Sequence, residues 1–407
     1  MSTISNVKAI KILDSRGNWT VEARVELADG SFGAASVPAG ASVGKYEARV
    51  ANTDDVVKNI NENVGRKIIG FEAGDQAGFD RLLIAMDGTR DKSKLGANLI
   101  LVLSEAVCEA SARSKKIPLY KYIDSIFEPQ SDNFLLPTPL FNLINGGKHA
   151  RNGLDFQEFI FVPPVSATFK SKLEWAVSIY HNLEETLQLK GLSTGVGDEG
   201  GFSPNNLNDE AALRLLTSTV NAYGRMAGQS FSIGLDAAAD TFYKNSLYNL
   251  RNFNQNLSPL EILAIYGRFL NQYPITYLED PFAEDDWEGW IKLTASHAGR
   301  VEIAGDDLIA TNIARLEKAI ALNAITAVII KPNQIGTVSE SLAVVERAKK
   351  AGLNIVVSHR SGETDSTFIA DFAVGVGAKY IKAGAPARGE RIAKYDRLLE
   401  IEAGLTV

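Results

Sequence analysis

The second half of the chain is paced by short β-prone runs, each followed by an ionisable side chain. Run 231–235 ends at Asp236, 275–278 at Glu279 and 325–330 at Lys331. Run 301–304 leads to Asp306, 354–357 to His359 and 379–381 to Lys382. From Glu279 onward the steps are nearly equal, and each is the length of one βα unit. Helical stretches fill the gaps: Ile313, Leu316 and Ile320 share one face, as do Val338, Leu342 and Val345. The period is structural, because the sequence itself does not repeat. Right-handed βα units build a parallel sheet, and this many of them predict a closed barrel. Such barrels carry their chemistry at the C-terminal strand ends, where the ionisable residues fall.

The first part of the chain has a different rhythm. Val21, Ala23, Val25 and Leu27 alternate with polar residues, Asp29-Gly30 follows, and 31–37 resumes an extended pattern. This predicts a β-hairpin. From Asp54 the pattern turns helical, and 97–114 is a long stretch rich in Ala, Leu and Glu. Pro129, Pro137 and Pro139 then interrupt any helix. The expected organisation is an α+β N-terminal capping domain over 1–128, a linker over 129–139 and a barrel over 140–407. A length of 407 residues accommodates both units.

Charge and cysteine content exclude several classes. With 42 basic and 49 acidic side chains the net charge is −7, so nucleic acid is not the expected partner. An acidic chain that binds an anion must concentrate positive charge in a site. The single cysteine, Cys108, rules out an intrachain disulfide and a thiolate metal cluster, and it reads as a small buried side chain. No run approaches the ~18 apolar residues of a membrane span, and residues 1–10 lack the apolar core of a signal peptide. The expected compartment is the cytoplasm, with no membrane partner.

The strand-end residues define a chemistry. Asp236, Glu279 and Asp306 meeting in one mouth would repel one another, and an oxygen-only donor set suits a hard cation such as Mg²⁺. The alternative is that each carboxylate caps the helix after it. Lys331, beside another cation or partly desolvated, would have a lowered pKa and serve as a general base, while Lys382 fits an anchor for a carboxylate or phosphate. Ser358-His359-Arg360-Ser361-Gly362-Glu363-Thr364 precedes a helix and can hold a phosphate. The segments 39–44 and 145–149 read as turns or as lids, and 197–201 presents Asp198 and Glu199 between glycines. None of these is a nucleotide fingerprint. Metal carboxylates, a lysine base, a glutamate and a phosphate pocket together point to proton abstraction α to a carboxylate through an enolate-like intermediate. No redox cofactor is expected.

The chain resembles the enolase family over nearly its whole length. The resemblance rests on Leu13-Asp14-Ser15-Arg16-Gly17-Asn18, Leu143-Ile144-Asn145-Gly146-Gly147, Val196-Gly197-Asp198-Glu199-Gly200-Gly201-Phe202 and Leu278-Glu279-Asp280-Pro281-Phe282. Further matches are Gly305-Asp306-Asp307-Leu308, Lys331-Pro332-Asn333-Gln334-Ile335-Gly336, the Ser358 to Thr364 run and Lys382-Ala383-Gly384-Ala385-Pro386. It implies an α+β cap on an eight-stranded TIM-like barrel with one antiparallel strand near its start. It implies a first Mg²⁺ on Asp236, Glu279 and Asp306, and a second that arrives with substrate and touches Ser42. By the same resemblance Lys331 takes the C2 proton of 2-phosphoglycerate, and Glu199, supported by Glu158, helps the C3 hydroxyl leave. Lys382 meets the carboxylate, Arg360, Ser361 and His149 close on the phosphate, Gln157 joins the substrate contacts, and His359 lines the leaving-group side. The products would be phosphoenolpyruvate and water, as in glycolysis.

The departures from the family pattern bear on substrate. Ala39-Gly40-Ala41-Ser42-Val43-Gly44 stands where the family has Ser-Gly-Ala-Ser-Thr-Gly, so hydroxyls are lost at Ala39 and Val43. Lys148 and Arg151 stand where Ser and Gly are usual, the Arg-Asp-rich stretch after Glu47 is missing, and Trp19 replaces a proline. Two substrates follow: ordinary 2-phosphoglycerate, or a more anionic phosphonate analogue such as that of carboxyphosphonoenolpyruvate synthase. A third reading is a non-catalytic structural or surface-binding relative. A homodimer or larger homo-oligomer is expected. Glu22 would ordinarily pair across it with an arginine, whose position is taken here by Glu400, so one of these glutamates should have another partner or the dimer should be weak.

Overall fold

A computed structural model describes residues 2–40, 44–127, 134–253 and 255–405, without the side chains of Asn252 and Gln255. Ser42, Val43 and the first part of the expected linker lie outside the described residues.

The alternation in the N-terminal part produces a three-stranded antiparallel sheet of Ile4–Leu13, Trp19–Leu27 and Phe32–Ser36. Val21, Ala23, Val25 and Leu27 turn one face inward. At the predicted hairpin, Asp29 Oδ1 accepts the amide of Ser31 at 2.9 Å and Gly30 takes φ +85°. The long helix Ala97–Ser114 packs on the inward face and buries Cys108. The approach is very close at Gly33, where a Cβ would stand 2.1 Å from the carbonyl oxygen of Ala106. Only glycine lets the strand backbone reach the helix backbone there.

One feature of this unit had no sequence signal. The helix Thr53–Asn59 continues through a π turn, Ile60–Val64, into Gly65–Ile68. Asn61 on that turn exchanges two hydrogen bonds with Ala9 of the sheet edge, accepting from its amide at 2.9 Å and donating to its carbonyl at 3.0 Å. The widened turn thus satisfies backbone groups that an edge strand leaves open.

The second unit is the expected closed barrel. Its strands run in chain order: Thr138–Asn145, Glu158–Val162, Ser232–Asp236, Ile275–Glu279, Glu302–Gly305, Ala327–Ile330, Asn354–Ser358 and Tyr380–Lys382. Glu158–Val162 is antiparallel to both neighbours, and the other pairings are parallel. The first strand starts at Thr138, inside the stretch expected as linker. Leu140, Ile160, Val162, Tyr277, Ala304, Ala327, Ile329, Val356 and Tyr380 fill the interior, so it is a packed core. Outside, Val338, Leu342 and Val345 are buried as predicted, but Ile313 is 44% exposed at the start of its helix. A small sheet of Tyr243–Lys244, Leu247–Leu250 and Gln255–Leu257 was not foreseen, because its strands are too short to show a period. No helix among the described residues is long and apolar enough to cross a membrane.

The cap sits on the C-terminal mouth of the barrel. Ala39 and Gly362 exchange backbone hydrogen bonds at 2.7 and 2.8 Å. Ser36 Oγ donates to Thr364 Oγ1 at 2.8 Å, and Asn333 Nδ2 donates to the Pro38 carbonyl at 3.2 Å. These contacts roof the strand ends.

Candidate active site

Strand register brings the acidic residues to one level. Glu279 pairs with Asp236 across the parallel ladder, and Asp236 pairs with Glu158 across the antiparallel one. Asp306 follows the next strand directly, and Lys382 is in register with Ser358 on the far side. All of them line one cavity, together with His149, Gln157, Glu199, Lys331, His359, Arg360 and Ser361.

The acidic half is held by two lysines. Lys382 Nζ lies 2.8 Å from both carboxylate oxygens of Glu279, 3.0 Å from Glu158 Oε2 and 3.7 Å from Asp236 Oδ2. Lys331 pairs with Asp306, whose other oxygen accepts from Gln334 Nε2 at 3.1 Å. Tyr277, from inside the barrel, donates to Glu279 Oε2 at 2.7 Å, and Gln157 donates to Asp236 at 3.3 Å. Burial, and then the charge of Asp236, push the Glu279 carboxyl up to about 8. The capping alternative fails, since the α-helices that follow are capped by Ser258, Asp286 and Asn312. Buried carboxylates with oxygen donors only and excess negative charge fit a hard divalent cation. Asp280, Asp306 and Asp307 form a second acidic group with ligand atoms within 4.8 Å of one another. Asp280 also accepts the amides of Asp306 and Asp307 at 2.9 and 2.8 Å, which fixes the turn that presents Asp306.

His149, Glu158 and Glu199 form a second buried group in the cavity, with ligand atoms within 4.8 Å of one another. His149 Nδ1 stands 3.5 Å from Glu199 Oε1 and 3.9 Å from Glu158 Oε1, and His359 Nε2 is 3.4 Å from Glu199 Oε1. Asn142 donates to Glu199 Oε2 at 2.9 Å. Burial and the nearby Glu199 charge push Glu158 well above the ordinary carboxylate range. Burial acts on Glu199 too, but His149, His359 and Arg391 outweigh it and hold Glu199 well below that range. Two adjacent carboxyls with opposed proton affinities are what acid–base chemistry requires.

One expectation is corrected. Lys331 was expected to have a lowered pKa. Burial does push it down, but the paired Asp306 charge more than offsets this and the ammonium is favoured. Arg360 lines the cavity but is engaged by the cap: its NH1 and NH2 donate to Glu47 at 3.0 and 3.2 Å, and NH1 to Asn333 at 3.2 Å. Lys148 and Arg151 are exposed and do not line the cavity, and Ala39 is held in its bridge to Gly362 while Gly40 faces the site. Sequence reasoning missed Glu47, Asn142, Asp280 and Gln334. Asp280 and Gln334 stand inside the motifs Leu-Glu-Asp-Pro and Lys-Pro-Asn-Gln, the one signal that could have found them.

Comparison with known proteins agrees with this architecture. Residues 4–123 match the family model described as enolase, N-terminal domain, and residues 133–407 that described as enolase, C-terminal TIM barrel domain. The chain is 45% identical over 415 aligned positions to the protein named enolase from Elusimicrobium minutum (strain Pei191), covering 100% of this chain and 97% of that one. The non-catalytic reading is thereby set aside. Matched along both of its units, and carrying Glu158 and Glu199 beside a carboxylate cluster at the barrel mouth, the chain belongs to the enolase family and is an enolase-like lyase.

Proposed function

We propose that the protein is a Mg²⁺-dependent hydro-lyase that converts 2-phosphoglycerate to phosphoenolpyruvate and water. What supports this reading is that Lys331, Lys382, Glu158 and Glu199 line one cavity with the carboxylates Asp236, Glu279 and Asp306. Lys331 Nζ takes the proton from C2, α to the substrate carboxylate, and Lys382 holds that carboxylate. As the C2–C3 double bond forms, the C3–O bond breaks, and Glu199 with Glu158 supplies the proton that lets the hydroxyl depart as water. His359 faces the leaving group, Arg360, Ser361 and His149 close on the phosphate, and Gln157 adds a polar contact. Asp236, Glu279 and Asp306 would hold Mg²⁺, Ser42 would contact a second ion by the family resemblance, and the metal would supply positive charge beside the substrate carboxylate. Incubation with 2-phosphoglycerate and Mg²⁺, with and without EDTA, tests the reading. Absence of chelator-sensitive phosphoenolpyruvate formation would sink it.

The added cations of the 145–149 region keep the phosphonate analogue as a second reading, because they flank the buried His149. Their exposure favours the first. A Lys148→Ser/Arg151→Gly variant is expected to turn over 2-phosphoglycerate within roughly twofold of the parent, as surface changes do. Selective damage to a substrate with one more acidic group, assayed side by side, would reverse that choice.

We also propose a homodimer. Glu400 has a partner in its own helix, Arg397 at 3.0 Å, and Arg397 also pairs with Asp371 at 2.7 Å. The repulsion foreseen between Glu400 and Glu22 is therefore softened on one side. Light scattering across a concentration series should show the dimer, and a monomer throughout would refute it.

A further inference from the structure

The last helix, Gly389–Leu405, sends a buried cation beneath the group of Glu158 and Glu199. Arg391 has no exposed surface. Its NH1 stands 2.6 Å from His359 Nδ1 and donates to the Arg360 carbonyl at 2.6 Å; its NH2 donates to the carbonyls of Ser361 at 2.7 Å and Asp198 at 3.0 Å. Glu390 Oε1 lies 3.4 Å from its Nε. Gly384, at φ +83°, leaves the room this requires, since a Cβ there would stand 3.1 Å from Arg391 Cδ.

A guanidinium is a donor only and stays charged at any working pH. The ring nitrogen that faces it must therefore accept. This leaves one place for the imidazole proton, Nε2, which points toward Glu199 Oε1 at 3.4 Å. An imidazolium would bring two N–H groups nose to nose and two cations into contact. We propose that Arg391 is a positioning residue that locks His359 in the neutral Nε2–H tautomer, so that the ring presents a donor to Glu199 and to the departing hydroxyl. The proposal rests on the reading above, which places both groups on the leaving-group side.

The surroundings of the ring are consistent with this. Glu199 faces Nε2, Arg391 faces Nδ1, and Glu363 acts from farther off, already paired with Lys394 at 2.8 Å. Burial pushes the imidazole down to about 4; Glu199 pulls it up, and Arg391 adds to the downward push. The same fork ties the carbonyl next to Glu199 to those of Arg360 and Ser361, so one side chain sets the relative position of the proton-donor and phosphate loops. An ammonium cannot reproduce four donations in one plane.

Long-range ¹H–¹⁵N correlation on the ¹⁵N-histidine-labelled protein reads the tautomer directly. The chain has 4 histidines, and His359→Gln assigns the signal. In the parent, His359 should show the neutral Nε2–H pattern without titrating from about pH 6 to 9. In Arg391→Met and in the milder Arg391→Lys, the ring should become a tautomer mixture, because nothing then obliges Nδ1 to accept. Turnover should fall at least about tenfold with little change in KM, and lysine should not rescue it. A parent ring that is Nδ1–H or charged overturns the proposal even if neither variant folds, and so does a variant that keeps the parent pattern. A parent protein with the Nε2–H ring but no activity on 2-phosphoglycerate would count against the functional reading alone.

Discussion

Lys331→Ala is expected to stop exchange of the C2 proton of 2-phosphoglycerate with solvent deuterium while leaving Mg²⁺ affinity intact. The backbone at Lys331 is set independently of its side chain: its amide donates to Thr311 Oγ1 at 2.9 Å, and Pro332 opens the short helix Pro332–Ile335 behind it. The variant therefore loses the amine and little else. Its partner Asp306 keeps the Gln334 amide, which is fixed in turn by Thr311 Oγ1 at 2.8 Å on Gln334 Oε1. Loss of a positioned base costs ~10²–10⁴ in rate, or about 3–5 kcal/mol of barrier. The Lys331 ammonium is stabilised by Asp306, so the proposed base requires that charge to be engaged elsewhere when substrate binds. Removing the lysine removes that competitor, so Mg²⁺ should bind at least as well as to the parent. If the variant still exchanges the proton at the parental rate, another residue is the base.

The barrel was legible because each strand from Ser232–Asp236 onward is short, apolar and closed by an ionisable residue. Asp236, Glu279, Asp306, Lys331, His359 and Lys382 all line the cavity for the same reason they were visible: βα units place strand ends at one rim. The hairpin of the cap was legible through the period-two burial of Val21 to Leu27. What escaped depends on partners distant in the chain. Glu47 and Arg360 are 313 positions apart, and neither charge announces the other. Arg391 reads as one more charged residue of a C-terminal helix that also carries Glu390, Lys394 and Arg397; only the packed structure shows it to be buried under His359. The direction of the Lys331 shift was missed on the same ground. Burial alone argues for a weakened ammonium, and the sign reverses once Asp306 is found against it. The π turn at 60–64 adds a residue to a helical pattern without breaking its apolar face, so Val56, Ile60 and Val64 stay buried and no register change shows.

Glu279→Gln should weaken Mg²⁺ binding by at least ~10–100-fold, the loss that even outer-sphere changes produce at metal sites. The amide replaces a charged oxygen pair with one neutral oxygen and an N–H₂ group. Lys382 approaches both oxygens of Glu279 at 2.8 Å, so the new amide would turn one donor toward another donor or rotate its oxygen away from the cation position. The fold should survive, because Lys382 keeps Glu158 at 3.0 Å and Asp236 at 3.7 Å, and the repulsion between Glu279 and Asp236 disappears. Titration calorimetry with Mg²⁺ on the folded variant measures the loss. Unchanged affinity would remove Glu279 from the cation site and transfer the assignment to the neighbouring group of Asp280, Asp306 and Asp307, whose ligand atoms lie within 4.8 Å of one another. Asp307→Asn separates the two arrangements. It should leave the affinity nearly unchanged if Asp236, Glu279 and Asp306 hold the ion, and it should reproduce the full loss if the second group does.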